Sequence, residues 1–216
     1  MSGGKRYRKI WVVISEMEHF MFFRRNASPV SWIAVLLGNP GLRYESSRHN
    51  AGFITADIIA KELGININRA RFSALTAVTM LGQKQVLLLK PQTYMNLSGT
   101  AVRQAMRFYK VPLSNIVVVS DDVSLPAGKL RVRRRGSAGG HNGLSDVIAK
   151  CGGEDFPRVR IGVGSPPHED YIMADWVLSK LSGDDKRLIS ETAHNAAAAL
   201  KLIIMHGIEY AMAEYN

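Results

Sequence analysis

The chain has 216 residues, 46% of them hydrophobic, one cysteine and a formal net charge of +10. That is enough apolar material for a sizeable core, a lone cysteine excludes an intrachain disulfide and a multi-cysteine zinc site, and the longest uncharged run, Asn26 to Leu42, is too short and too broken by Pro and Gly to cross a membrane. The first 30 residues carry +4 and the remainder +6, so the basic excess belongs to the body of the chain and favours a polyanionic partner.

Residues 1–30 read as an appended segment, a non-core N-terminal extension, with 31–216 as one catalytic domain. The segment has a basic start and a brief apolar run, Ile10 to Ile14, which Glu16 and Glu18 interrupt. No small-residue cleavage site follows, so it is not read as a signal peptide. With Met17 and Met21 available as alternative starts, the segment reads as a cloning or start-site extension in preference to a basic arm that adds RNA contacts. Trp32–Leu37 then reads as a buried strand. Ala51–Leu63 has apolar residues at helical spacing and stops at Gly64, a glycine in the usual place after a helix. Leu75–Met80 and Gln85–Leu89 read as strands turning at Gly82. Thr100–Tyr109 is a predicted helix, closed off by Pro112. Ile116–Val119 is a β-branched run, and Lys129–Arg133 alternates like a strand with one solvated face. Leu144–Ala149 reads as a short helix, Arg158–Val163 as a strand and Leu188–Met212 as mostly one helix, in which Ala196–Ala199 permits close packing on a sheet. Interleaved helical and strand patterns predict an α/β fold: a single domain with a mixed, mostly parallel twisted sheet and helices on both faces.

Three separate stretches combine Asn or His with Gly. These are Gly38-Asn39-Pro40-Gly41 followed by Arg48-His49-Asn50, Thr93 to Gly99 with Asn96, and Gly139-Gly140-His141-Asn142-Gly143. The last follows Lys129 to Arg135, which holds five cations in seven residues. A polyanion on that strand would bring some other group against the glycines, His141 and Asn142. Asn39 and Asp121 each sit close to the end of an apolar strand, and in open α/β sheets ligands gather outside the carboxyl ends of strands. His49 stands just before the first helix. A neutral imidazole can take a proton from water near neutral pH, and a carboxylate such as Asp121 could accept from the other ring nitrogen and stabilise the cation that forms. No serine or cysteine in these motifs is placed as a nucleophile. A metal site built from His49, Asp121, Asp122 and His141 is disfavoured, because neither H-x-x-x-H nor H-E-x-x-H occurs.

Taken together and in order, these segments resemble the bacterial-type peptidyl-tRNA hydrolases. The resemblance is carried by Leu37 to Gly41, Tyr44, Arg48 to Gly52, Pro91, Thr93 to Gly99, Ser120 to Asp122 with Leu125, Pro126 and Gly128, Gly136 to Gly143, and Arg158 to Gly164. It implies hydrolysis of the ester that joins a peptide to tRNA, with His49, Asp121 and Asn39 as catalytic residues. It also implies Tyr44, Tyr94, Asn96, His141 and Asn142 as substrate contacts, and Arg131, Arg133 and Arg160 as tRNA phosphate contacts. No cofactor, no metal and no membrane are expected, and the resemblance points to a cytoplasmic monomer whose partner is peptidyl-tRNA. The first asparagine would help to tell peptidyl from free aminoacyl esters. Two positions depart from the family: a His is common where Ser120 stands, and an acidic residue where Ser124 stands. The rival expectation is an RNA-binding protein on the same fold without hydrolysis, for which a His49–Asp121 pair would be unnecessary.

Overall fold

The computed structural model describes residues 29–168 and 170–216; the proposed N-terminal extension lies outside them, apart from Pro29 and Val30. Val30 is itself buried in the core, so the packed body reaches back at least that far. The elements in order are β1 (Trp32–Leu36), α1 (Ala51–Leu63), β2 (Arg69–Arg71), β3 (Ala74–Leu81), β4 (Lys84–Pro91), α2 (Ser98–Tyr109), β5 (Ile116–Asp122), β6 (Leu130–Arg133), α3 (Asn142–Cys151), β7 (Arg158–Gly162), α4 (Met173–Leu178), α5 (Gly183–His206) and α6 (Ile208–Tyr215). Short 3-10 turns occupy Arg48–Asn50, Met95–Leu97 and Leu113–Asn115.

The seven strands lie in the order β2-β3-β4-β1-β5-β7-β6. The four central strands, β4, β1, β5 and β7, run parallel, while β2, β3 and β6 attach by antiparallel pairing. Alternation along β1 and β5 divides the core in two. Ala34, Leu36, Val117 and Val119 face α1, α5 and α6, whereas Ile33, Val35, Ile116 and Val118 face α2 and α3. Strands covered on both faces must be apolar throughout, and β5 is buried over its entire length. The α/β architecture expected from the sequence is therefore present.

Local chemistry explains where the elements end. α1 stops at Gly64, which takes a left-handed φ of 63° and whose N–H bonds back to Ala60 and Lys61. The long C-terminal helical pattern is two helices rather than one. Gly207 adopts φ 100°, a conformation that side-chain-bearing residues resist, and it separates α5 from α6. α5 also starts at Gly183, five residues before the predicted boundary. β2 and α4 were not read from the sequence; at three and six residues, neither is long enough to show a period.

One contact fixes how α1 meets the sheet. A Cβ on Gly52 would lie 2.4 Å from the Leu37 carbonyl oxygen and 2.7 Å from that of Val119. The first turn of α1 thus rests directly on the backbone at the carboxyl ends of β1 and β5, and the preceding turn, which carries His49, is held against the end of β5. Gly52→Ala is expected to destabilise the fold by about 1–3 kcal/mol, since backbone on both sides cannot give way. The midpoint of urea unfolding checks it; an unchanged midpoint would mean that α1 can shift.

Candidate active site

Asp121 is the penultimate residue of β5 and its side chain is 2% exposed. Two imidazoles from different segments reach it, and both contact Oδ1. His49, from the turn ahead of α1, places Nδ1 2.9 Å from Asp121 Oδ1 and 3.0 Å from Oδ2. His141 comes from the glycine loop ahead of α3 and places Nε2 3.0 Å from Oδ1. The two rings stand 4.7 Å apart, centre to centre. Burial alone would push the Asp121 carboxyl up, but the two imidazoles outweigh it and hold Asp121 far below the usual carboxylate range. Burial likewise disfavours an imidazolium at His49. The Asp121 charge and hydrogen bond overcome that penalty, so the His49 pKa stands above its ordinary value. His49 spends Nδ1 on Asp121, and Nε2 has no protein partner among the described residues.

These residues line a cavity of about 330 Å³ together with Asp122, Gly139, Gly140, Asn142 and Arg160. Its outer wall is apolar: Met173, Ala174 and Val177 of α4. α4 is fastened by Arg48, the neighbour of His49. Its guanidinium lies 3.7 Å from the centre of the Trp176 ring, pairs with Asp185 at 2.5 Å and donates to Ser179 Oγ at 2.8 Å. Both terminal nitrogens of the buried cation are therefore engaged, and the His49 turn and the α4 wall are tied into one unit.

Asn39 is set by a separate network. Asn50 Oδ1 accepts from the Asn39 backbone N–H at 2.7 Å, and Asn50 Nδ2 donates to the Asn39 carbonyl at 3.0 Å. The Met95 N–H donates to Asn39 Oδ1 at 2.8 Å. With its oxygen occupied, the Asn39 carboxamide is left with its NH2 as the free group, a donor. Asn39 borders a neighbouring groove of about 530 Å³ with Pro40, Phe53, Lys90 and Gln92.

The arginines gather as the strand pattern requires. Arg131 faces Arg160 across the β6–β7 pairing and Arg133 faces Arg158, so all four share one side of the sheet. Arg158 is buried; it donates to the Ser137 carbonyl at 2.6 Å and the Glu154 carbonyl at 3.1 Å, and burial pushes its pKa down to about 10. Arg160 pairs with Asp122 at 2.5 Å. Arg131 and Arg133 have no carboxylate partner among the described residues. Burial, and then the like charges of Arg131 and Arg160, hold the Arg133 pKa below its ordinary value. A cluster of uncompensated cations is the arrangement an anion relieves.

A sequence profile described as peptidyl-tRNA hydrolase matches residues 33–216. The chain belongs to the peptidyl-tRNA hydrolase family. It is 48% identical over 185 residues to a peptidyl-tRNA hydrolase of Caldanaerobacter subterraneus subsp. tengcongensis, covering 86% of this chain and 99% of that one. It is 47% identical over 180 residues to that of Carboxydothermus hydrogenoformans, covering 83% and 95%. A crystal structure of peptidyl-tRNA hydrolase from Acinetobacter baumannii superposes with a TM-score of 0.81 at 32% identity, over 88% of this chain and 97% of that one.

Of the residues that the family resemblance singled out, His49, Asp121, His141, Asn142 and Arg160 line one cavity. Tyr44, Tyr94, Asn96 and Asn39 do not line it; Tyr94 is 61% exposed and Asn96 also faces solvent. The sequence reading gave no role to Asn50, Arg48, Arg158 or Trp176. Only the pairing with Asn39 distinguishes Asn50, and no spacing signals it. Among the described residues, His49, Asp121 and His141 are the one group whose ligand atoms, all within 4.8 Å of one another, could hold a metal ion. Each imidazole proton there is already given to Asp121, so a cation would have to displace both.

The opposing effects on His49 make a test. Asp121→Asn leaves burial unopposed, so the acid limb of kcat/KM is expected to move to lower pH while the plateau falls. A pH–rate profile on an N-blocked aminoacyl-tRNA checks this; an unmoved limb would separate Asp121 from His49 in function.

Proposed function

We propose that this chain hydrolyses the ester between a peptide's C-terminal carbonyl and the 3′ ribose of tRNA, releasing peptide and tRNA for reuse in translation. The observation that carries the reading is the buried His49–Asp121 pair, whose second imidazole nitrogen has no partner among the described residues, at a cavity lined by Arg160 with Arg131 next to it on the strand pair, in a chain of this family.

In the proposed reaction His49 Nε2 takes a proton from water as the water oxygen attacks the ester carbonyl. The imidazolium is stabilised by Asp121, which is already ionised and hydrogen-bonded to Nδ1. The Asn39 NH2 supplies a donor to the oxyanion that develops. Collapse of the tetrahedral intermediate breaks the bond to the ribose oxygen, which takes the proton back from His49. Tyr44, Tyr94, Asn96 and Asn142 contact the substrate, and Arg131, Arg133 and Arg160 hold phosphates of the acceptor stem. No step calls for a metal or a cofactor, and the chain acts as a monomer. Among the described residues no helix is long and apolar enough to cross a membrane. A purely RNA-binding role would leave a buried, doubly hydrogen-bonded carboxylate beside a free imidazole without a use, and nothing in the site favours it.

His49→Ala is expected to lower turnover of N-blocked aminoacyl-tRNA by about 10²–10⁴ while tRNA affinity stays near that of the parent. Turnover within a few-fold of the parent would remove His49 as the base. Separately, Arg131→Ala with Arg133→Ala is expected to raise KM several-fold and to flatten its salt dependence, because each phosphate contact releases counterions. A short N-blocked aminoacyl-nucleotide without stem phosphates should be cleaved equally by both forms; equal loss on both substrates would place the arginines in the catalytic site.

A further inference from the structure

His141 matches a substrate contact by resemblance, yet its hydrogen bonds are both internal. Its Nδ1 accepts from the backbone N–H of Gly143 at 3.1 Å and of Leu144 at 3.3 Å, the two donors that open α3. The ring is thus the N-cap of that helix, a part usually taken by Ser, Thr, Asp or Asn. A nitrogen that accepts two N–H groups carries no proton. The single proton of the neutral ring therefore sits on Nε2, which faces Asp121 Oδ1 at 3.0 Å. The helix terminus selects the tautomer, and the tautomer makes the other nitrogen a donor to the carboxylate.

We infer that His141 is a positioning residue for the hydrolytic reaction: helix α3, through this ring, fixes Asp121 against His49 and moderates how strongly that carboxylate grips the His49 proton. The inference rests on the reading of His49 as the base. The local packing supports it. A Cβ on Gly143 would lie 3.1 Å from His141 Cε1 and 2.5 Å from Met95 Sδ, so the start of α3 is seated on the His141 ring and on Met95 at once. Gly139 and Gly140, at φ 56° and 82°, provide the left-handed turn that delivers the ring. With its proton facing Asp121 and its lone pair facing the helix, His141 has no ring nitrogen left for substrate.

The consequence for His49 has a definite sign. A donor on Oδ1 draws charge from the carboxylate, so Asp121 stabilises the His49 imidazolium less than an unshared carboxylate would. The other charged groups around the pair are occupied elsewhere. Asp122 of β5 pairs with Arg160 of β7, and Arg48 beside His49 pairs with Asp185 of α5. The α4 wall contributes only Met173, Ala174 and Val177 to the cavity.

The test uses His141→Asn, because asparagine is a strong N-cap but too short to cap α3 and reach Asp121 together. Thermal unfolding should be close to that of the parent for His141→Asn and lower for His141→Ala, which loses the cap as well. The His49 titration, followed by NMR, and the acid limb of kcat/KM should both move to higher pH by about 0.5 unit in His141→Asn. That direction is opposite to the shift from Asp121→Asn. In the parent, nitrogen-15 shifts should show His141 protonated at Nε2 and unprotonated at Nδ1. A His141 protonated at Nδ1 would overturn the inference. So would a His141→Asn variant that raises KM with the His49 titration unmoved, which is the signature of a substrate contact. The NMR readouts do not depend on turnover, so a failure of His49 as the base would show in His49→Ala and leave them standing.

Discussion

A carboxylate taken out of water is costly unless donors replace its hydration, and Asp121 is almost wholly enclosed at the end of β5. Two imidazoles provide the compensation, and each belongs to a different chain segment. The turn ahead of α1 and the glycine loop ahead of α3 must both come within hydrogen-bond distance of Asp121. The convergence of these two segments on the end of one parallel strand shapes the cavity. It also leaves His49 Nε2 as the nitrogen without a partner among the described residues. The buried charge is thus both a demand on the fold and the source of the proposed base's electrostatics.

Close backbone packing makes the convergence possible. Gly52 lets α1 rest on the carbonyls that end β1 and β5, and Gly143 lets α3 begin against His141 and Met95. Gly99 does the same between α2 and α3: a Cβ there would lie 2.2 Å from the Asp146 carbonyl, and its N–H donates to Asp146 Oδ2 at 2.7 Å. Met95 in turn holds the Asn39 carboxamide by its N–H. One helix terminus therefore touches both the His141 ring on Asp121 and the residue that holds Asn39, the proposed oxyanion donor. Glycines of the three motifs serve these approaches, in addition to any contact with substrate.

The positive charge of the chain is divided by burial. Arg48 and Arg158 are inside, with their terminal nitrogens bonded to Asp185, Ser179, Ser137 and Glu154, and act as braces for α4 and for the loop ahead of His141. Arg131 and Arg133 stand on the open strand face, where neighbouring cations raise one another's energy and no carboxylate among the described residues answers them. The same residue type is a structural strut in one setting and the proposed anion site in the other, and side-chain accessibility decides which.

The interleaved apolar runs were enough to predict an α/β fold, because strands covered on both faces must be uniformly apolar and amphipathic helices must follow a 3.6-residue period. The ordered motifs were enough to suggest the family and to single out His49 and Asp121. The period of two along β6 placed Arg131 and Arg133 on one side. The sequence was silent on α4 and β2, which are too short to display a period, and it ran α5 and α6 together because Gly207 resembles any tolerated glycine until its φ is seen. Nor could it show that Asn50 clamps Asn39, that Arg48 reaches across to Trp176 and Asp185, or that both nitrogens of His141 are committed. Local pattern registers what a residue needs from its own element. The partner of a buried polar group is chosen by which strand ends and helix termini the tertiary fold brings within 3 Å, and that distance exists only once the sheet is assembled.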